Sequence, residues 1–336
     1  MFSVPLLRSH ATVCLVDRDR LQLYHANRSV ILVSSAISLY EGKGLDQFIA
    51  VIIAFHCLSF KQNGILDTFV EGNLESLVKN PQVSPDHKVV QHGNKLKLLN
   101  EESKEFIVTL GDVISRDPAI IGWSTVVLKA TSDEWKGKKI VVKVSWPSVG
   151  CVRENNFLTK AAEEAQKEGS TWAAKHLPKV LWAGDINFGM ASTFESVANL
   201  FKSATLVGGG GNFVYEERVL RVIIQEELHP LKSLGDVKEI GQVFVDVACV
   251  HRWLHDHPGI LHRDPSPNNI MCRISEEPDA EGNLSRRVYG VLTDYDLSLW
   301  TKALKKDYSK TLQQRTGTPP YMAEELLRGT STTHLY

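Results

Sequence analysis

The stretch GILHRDPSPNNIM, residues 259–271, places a carboxylate, Asp264, five residues ahead of a carboxamide, Asn269. That spacing lets one short loop aim a carboxylate at a hydroxyl and a carboxamide oxygen at a metal. Phosphoryl transfer needs few groups: metal ligands for the phosphates, a cation on them, and a carboxylate that orients the nucleophile. Downstream, the apolar run IMCRI and the run RRVYGVLTD are joined by the turn-forming SEEPDAEGN. They are predicted to pair as a hairpin with Asn269 and Asp294 at its ends, both turned toward one divalent ion such as Mg2+. The segment RTGTPPYMAEELL, residues 315–327, reads as an ordered loop entering a helix.

Several elements must position this loop. A helix over about 236–256 carries Ile240, Val243, Phe244, Val247, Val250 and Leu254 at helical spacing and delivers the chain to it. Before it, KLKLL, EFIVTLGDVI, STVVLKATS and KKIVVKVSW alternate like strands, and DEWKGKK suits a hairpin turn. VRENNFLTKAAEEAQKEG reads as a helix ending near Gly169, and strands are predicted near 179–184 and 216–227. Residues 11–35 read as two strands, ATVCLVDRDRLQLY and SVILVSS, joined by HANR; a core helix follows over about 45–60, then an irregular linker over 61–95. The glycine run Gly208–Gly211 lacks the Gly-Lys-Ser/Thr and helix of a P-loop and reads as a flexible connection. Strands first and helices later predict a two-lobed α+β protein with a cleft between a β-rich lobe and a helical one.

Composition narrows the rest. The chain has 336 residues, 43% hydrophobic and 23% charged, and a net charge of −1, which argues for neither a nucleic-acid binder nor a membrane-surface binder. Its five cysteines form no CxxC pair, so a reducing, intracellular compartment, cytoplasmic or nuclear, is expected. FIAVIIAFHCLSF, residues 48–60, is too short to span a bilayer, which needs about 20 apolar residues. His251 and His255, four apart on one helix face, offer a rival zinc reading, but no HExxH motif accompanies them.

HRDPSPNN, TDYD and GTPPYMAEE in this order resemble the eukaryotic protein kinases and, more narrowly, the fungal-type protein kinase family. That family's metal motif resembles DYDLS, and the N-terminal strands and helix with VDRDR resemble its extension. The resemblance implies an N-terminal α/β extension over 1–105, a kinase N-lobe and hinge over 106–232, and a partial C-lobe over 233–336. It also implies ATP and Mg2+ as cofactors and a protein substrate, with Ser/Thr the expected acceptor. Lys143 in IVVKVSW matches the lysine on the α- and β-phosphates; the bland alternative is a surface lysine on a strand. Glu154 best matches the glutamate that positions that lysine, with Glu163 and Glu164 as alternatives. Gly122 in IIGWSTVV matches a glycine-rich loop that keeps one glycine, or else a plain turn; Val127 would then cover the adenine. Glu226 to Leu228 are the hinge candidates. Asp264 is implied to orient the hydroxyl, and Asn269 and Asp294 to hold Mg2+. Thr318 favours a protein substrate, and Arg263 could pair with a phosphorylated Tyr308, Ser309, Thr311 or Thr316.

Three departures qualify the resemblance. Ser266 stands where a loop lysine neutralises the moving phosphoryl group, and such stabilisers are worth about 10²–10³ in rate. Asp296 replaces the glycine of Asp-Phe-Gly, restricting a flip or adding an acid near the metals. Glu325 matches a glutamate that pairs with a later arginine, which would lie beyond Tyr336. The large lobe is therefore expected to lack about its lower half, as a fragment or incomplete gene model would. Two alternatives stay open: a non-catalytic pseudokinase or inert fragment, and a small-molecule phosphotransferase, which would not need GTPPYMAEE.

Overall fold

A computed structural model describes residues 9–58, 64, 69–70, 95–117, 119, 121–186, 216–278, 282–304 and 318–322. The chain divides into two compact units, Met1–Cys151 with Trp182–Ile224, and Val152–Leu181 with Gln225–Tyr336.

The first unit opens with β1 (His10–Asp17) and β2 (Arg20–Asn27), antiparallel with Asp17 facing Arg20. By sequence alone residues 11–24 read as one strand. The charged Asp17–Arg20 run is instead a tight turn, with Arg18 at φ 53°. β3 (Ile31–Val33) and β4 (Ile37–Ser38) both pair with β2. α1 (Gly44–Cys57) follows close against β4: a Cβ at Gly44 would lie 1.6 Å from the Ser38 carbonyl oxygen. The expected core helix forms, but Leu45, Ile49, Ile52 and Ile53 are exposed and Gly44 alone is buried in it.

A seven-stranded sheet makes the body of this unit. In chain order its strands are β5 (Phe69–Val70), β6 (Lys95–Leu99), β7 (Glu105–Arg116), β8 (Val126–Thr131), β9 (Ile140–Ser145), β10 (Val180–Ile186) and β11 (Leu220–Glu226). Their spatial order is β10-β11-β9-β8-β7-β6-β5. Alternation puts Leu96, Leu98, Phe106, Val108, Leu110, Val126 and Leu128 inside, whereas β9 is buried along its whole length, as a central strand should be. β7 pairs with β8 through two register shifts between Leu110 and Ser115, which bend this long strand.

The second unit is built on two helices and a hairpin. α2 (Glu154–Glu164) buries Glu154, Phe157, Leu158 and Ala161, and α3 (Val237–Asp256) buries Val243, Val247, Val250, Trp253 and Leu254. Asp236 caps α3 by accepting the Lys238 N–H at 2.9 Å. The short strands β12 (His229–Pro230) and β13 (Ile260–Leu261) precede β14 (Ile270–Pro278) and β15 (Leu284–Leu292); β16 (Leu299–Trp300) returns to pair with β13, and α4 (Thr301–Leu304) follows. α3 lies directly on β15 because residue 290 is glycine: a Cβ there would meet the Val243 carbonyl oxygen at 2.4 Å. Phe157, Leu158, Val250, Leu254, Ile270, Leu292 and Tyr295 share one apolar core.

The architecture is α+β, with a sheet-rich N-terminal region. Among the described residues no helix is long and apolar enough to cross a membrane.

Candidate active site

The hairpin forms as its sequence pattern requires, with Ile270 facing Leu292 and Pro278 facing Leu284. Its open end is stitched by two bonds to the Asn269 carbonyl oxygen, from the Thr293 N–H at 2.8 Å and the Thr293 hydroxyl at 3.0 Å. Asn269 and Asp294 therefore leave the same end of one two-stranded frame.

His262 is fully buried, and its Nε2 donates to the Thr293 carbonyl oxygen at 2.9 Å, so Nδ1 is free to accept the Asp264 N–H at 3.3 Å. Burial pushes its pKa down to about 4, against a smaller opposing pull from Asp294, and the ring is neutral at physiological pH. The Tyr295 ring meets it edge-on, with centroids 4.7 Å apart. His262 thus joins the 262–264 and 293–295 segments through their main chains, and both segments carry strain: Arg263 has φ 72° and Asp294 φ 65°. Left-handed non-glycine residues cost about 1–3 kcal/mol each and collect where the surroundings over-determine them.

Asp264 is held on both carboxylate oxygens. Asn269 Nδ2 donates to Oδ2 at 2.9 Å and to the Asp264 carbonyl oxygen at 2.9 Å. The Thr318 N–H donates to Oδ1 at 2.8 Å. The loop between is closed by Ser266 N–H to the Asp264 carbonyl and Asn269 N–H to the Ser266 carbonyl. Ser266 itself is buried.

A second acidic group sits in the same unit. One carboxylate oxygen each from Glu154, Asp294 and Asp296 lie within 4.8 Å of one another, a set of hard oxygen donors that fits a divalent ion such as Mg2+. Glu154 is buried at the first turn of α2 and its Oε1 accepts the Tyr295 N–H at 2.9 Å. Phe157 and Leu158 anchor that turn from below, Phe157 against the Trp300 ring at 4.7 Å. Among the described residues this is the metal-competent cluster, and His251 and His255 stand outside it; His255 instead meets its neighbour Asp256.

Two hinge candidates also belong to this unit. The Glu226 N–H is taken by the Lys179 carbonyl oxygen at 3.1 Å, and its side chain pairs with Arg273. A base reaching Glu226 would therefore find its carbonyl oxygen rather than its N–H. Leu228 is buried two residues on.

In the first unit, Val127 and Lys143 are direct cross-strand partners on β8 and β9, and Lys143 is buried in the strand rather than displayed on a surface. Gly122 has φ 102°, and no atom would obstruct a Cβ there, so the turn selects glycine by backbone conformation alone. Ser124, two residues later, is also left-handed at φ 45° and is buried.

The family model of fungal protein kinases matches residues 6–336, nearly the entire sequence. The chain belongs to the fungal protein kinase family. Its α+β architecture is accordingly protein-kinase-like. A search of curated proteins finds no match. Among solved structures, the Rio2 kinase–ADP/Mg2+–phosphoaspartate complex from Chaetomium thermophilum is similar at 14% identity, over 66% of this chain and 62% of that one, with a TM-score of 0.27.

The sequence pairs Asn269 with Asp294 at a metal; the carboxylates gathered around Asp294 are Glu154 and Asp296, and Asn269 donates to Asp264 through Nδ2, a bond in which its carboxamide oxygen takes no part. The second aspartate of TDYD was the available signal for Asp296. No signal pointed to the Thr318 N–H, because a main-chain donor leaves no mark in the sequence. Gly208–Gly211, Tyr308, Ser309, Thr311, Thr316 and Glu325 lie outside the described residues.

Proposed function

We propose that this member of the fungal protein kinase family transfers the γ-phosphoryl group of ATP to a protein hydroxyl, on Ser or Thr. The observation that carries the reading is the immobilised Asp264 carboxylate, bonded by Asn269 on one oxygen and Thr318 on the other. Each oxygen keeps a lone pair for an incoming hydroxyl. Asp264 then orients the acceptor and takes its proton as the new phosphate ester forms. Glu154, Asp294 and Asp296 would hold Mg2+, which when bound neutralises phosphate charge. The Asn269 carboxamide oxygen is a further ligand candidate. Lys143 would hold the α- and β-phosphates, Gly122 and Val127 would cover the nucleotide, and Glu226 and Leu228 would edge the adenine through main-chain atoms.

Ser266 favours a second reading. It is buried and uncharged where a phosphate-neutralising lysine is expected, so nucleotide binding without turnover is the alternative. Incubation with γ-labelled ATP, Mg2+ and a generic protein acceptor, followed by phosphoamino-acid analysis, separates them. The proposal expects acid-stable phosphoserine or phosphothreonine; Mg2+–ADP binding with no labelled product would favour the second reading.

A further inference from the structure

The turn that joins β2 to β3 reaches the loop between β7 and β8. Asn27 Oδ1 accepts the N–H groups of Ser29 and Val30, at 2.7 and 2.9 Å, which fixes the turn and presents Arg28. Arg28 is 8% exposed. Its carbonyl oxygen accepts the Gly122 N–H at 2.9 Å, and its Nη1 donates to Ser124 Oγ at 3.0 Å. Its guanidinium lies over the Trp146 ring, 5.6 Å from the centroid, and the Trp146 N–H in turn donates to the Trp123 carbonyl oxygen at 2.7 Å. One side chain and its own carbonyl thus grip the loop at two left-handed residues, Gly122 and Ser124.

We infer that Arg28 is a positioning residue: the N-terminal extension braces the Gly122–Ser124 turn, supplying the order that a single-glycine loop needs in order to meet a nucleotide. The nucleotide part rests on the kinase reading; the brace does not. A buried guanidinium is retained only with good partners, and here they are the loop and the tryptophan beneath it. Burial, reinforced by Arg116, lowers the Arg28 pKa to about 10, so the group is still charged at neutral pH. Residues 96 positions apart in the chain are joined by this contact, so a segment outside the sheet controls the loop within it.

The test compares the full chain with Arg28→Ala, Arg28→Lys and Ser124→Ala. Amide hydrogen exchange without nucleotide should quicken about tenfold in the peptide carrying Gly122 and Ser124 for Arg28→Ala, the loss of about one charge-assisted hydrogen bond. Ser124→Ala should do the same to a smaller degree, and Arg28→Lys should recover part of the protection. The Kd for Mg2+–ADP should rise about tenfold in Arg28→Ala, with KM for ATP moving more than kcat. Unchanged exchange in both alanine variants would overturn the inference. Quickened exchange in a protein whose wild type binds no Mg2+–ADP would uphold the brace and overturn the kinase reading instead.

Discussion

The backbone N–H of Thr318 donates to Oδ1 of Asp264 at 2.8 Å, joining the segment before Pro319 to the carboxylate of the 262–269 loop. A main-chain donor does this, so the identity of the side chain at 318 matters less to Asp264 than the presence of an N–H. Thr318→Ala should keep the rate of phosphoryl transfer within about threefold, while Thr318→Pro, which deletes the donor, should lower it about 10–100-fold. Steady-state kcat for both variants checks this; an equal loss in both would place the effect in the hydroxyl.

Tyr295 is fully buried, and among the described residues its hydroxyl has no hydrogen-bond partner. Burial raises its pKa, with the Glu154 charge adding to the effect, so it stays a neutral phenol with an unmet donor. Tyr295→Phe should leave the ring packing on His262 intact and stabilise the protein by about 1 kcal/mol. Urea midpoints at constant m-value measure it; a loss of stability would reveal a partner for the hydroxyl.

Asp296 is the acid that distinguishes TDYD from Asp-Phe-Gly, and its carboxylate lies in one cluster with Asp294 and Glu154. Asp296→Asn should weaken Mg2+–ADP binding about 3–10-fold, less than Asp294→Asn, and the deficit should shrink at high Mg2+. Calorimetric titration at several Mg2+ concentrations is the check; affinities indifferent to Mg2+ would separate Asp296 from the ion.

Two histidines make stability depend on pH. Burial pushes the pKa of His262 and of His25 down to about 4 from an ordinary 6.5, His10 adding to the effect at His25. The unfolded chain then binds the proton more readily, so these groups' contribution is complete above about pH 6.5 and is lost as pH falls toward 4. For His262 alone, unfolding free energy should fall by about 2 kcal/mol between pH 7 and pH 5. Urea unfolding at the two pH values tests the sign, and His25→Gln should reduce the slope. Rising stability on acidification would contradict it.

The β14–β15 hairpin was legible because two kinds of information coincide there: strand alternation in IMCRI and RRVYGVLTD, and the candidate residues Asn269 and Asp294 at fixed distances from their ends. The long helix over 237–256 was equally plain, since its apolar positions recur at helical spacing on one face. The Asp17–Arg20 turn was hidden because the strand formers on both sides continue the β pattern through four charged residues. Exposure of α1 was hidden for a different reason: an apolar helix is the same string whether or not a partner covers it. Contacts such as Arg28 with Ser124, or Tyr295 N–H with Glu154, join distant residues through single atoms and create no periodicity to read.

The account rests most heavily on Asp264 as the group that orients the acceptor and takes its proton. Single-turnover transfer of γ-phosphate from ATP to a protein acceptor should fall by about 10²–10⁴ in Asp264→Asn, with Mg2+–ADP affinity unchanged within about twofold, because asparagine keeps the shape but cannot accept the proton. Equal single-turnover rates for wild type and Asp264→Asn would contradict the assignment.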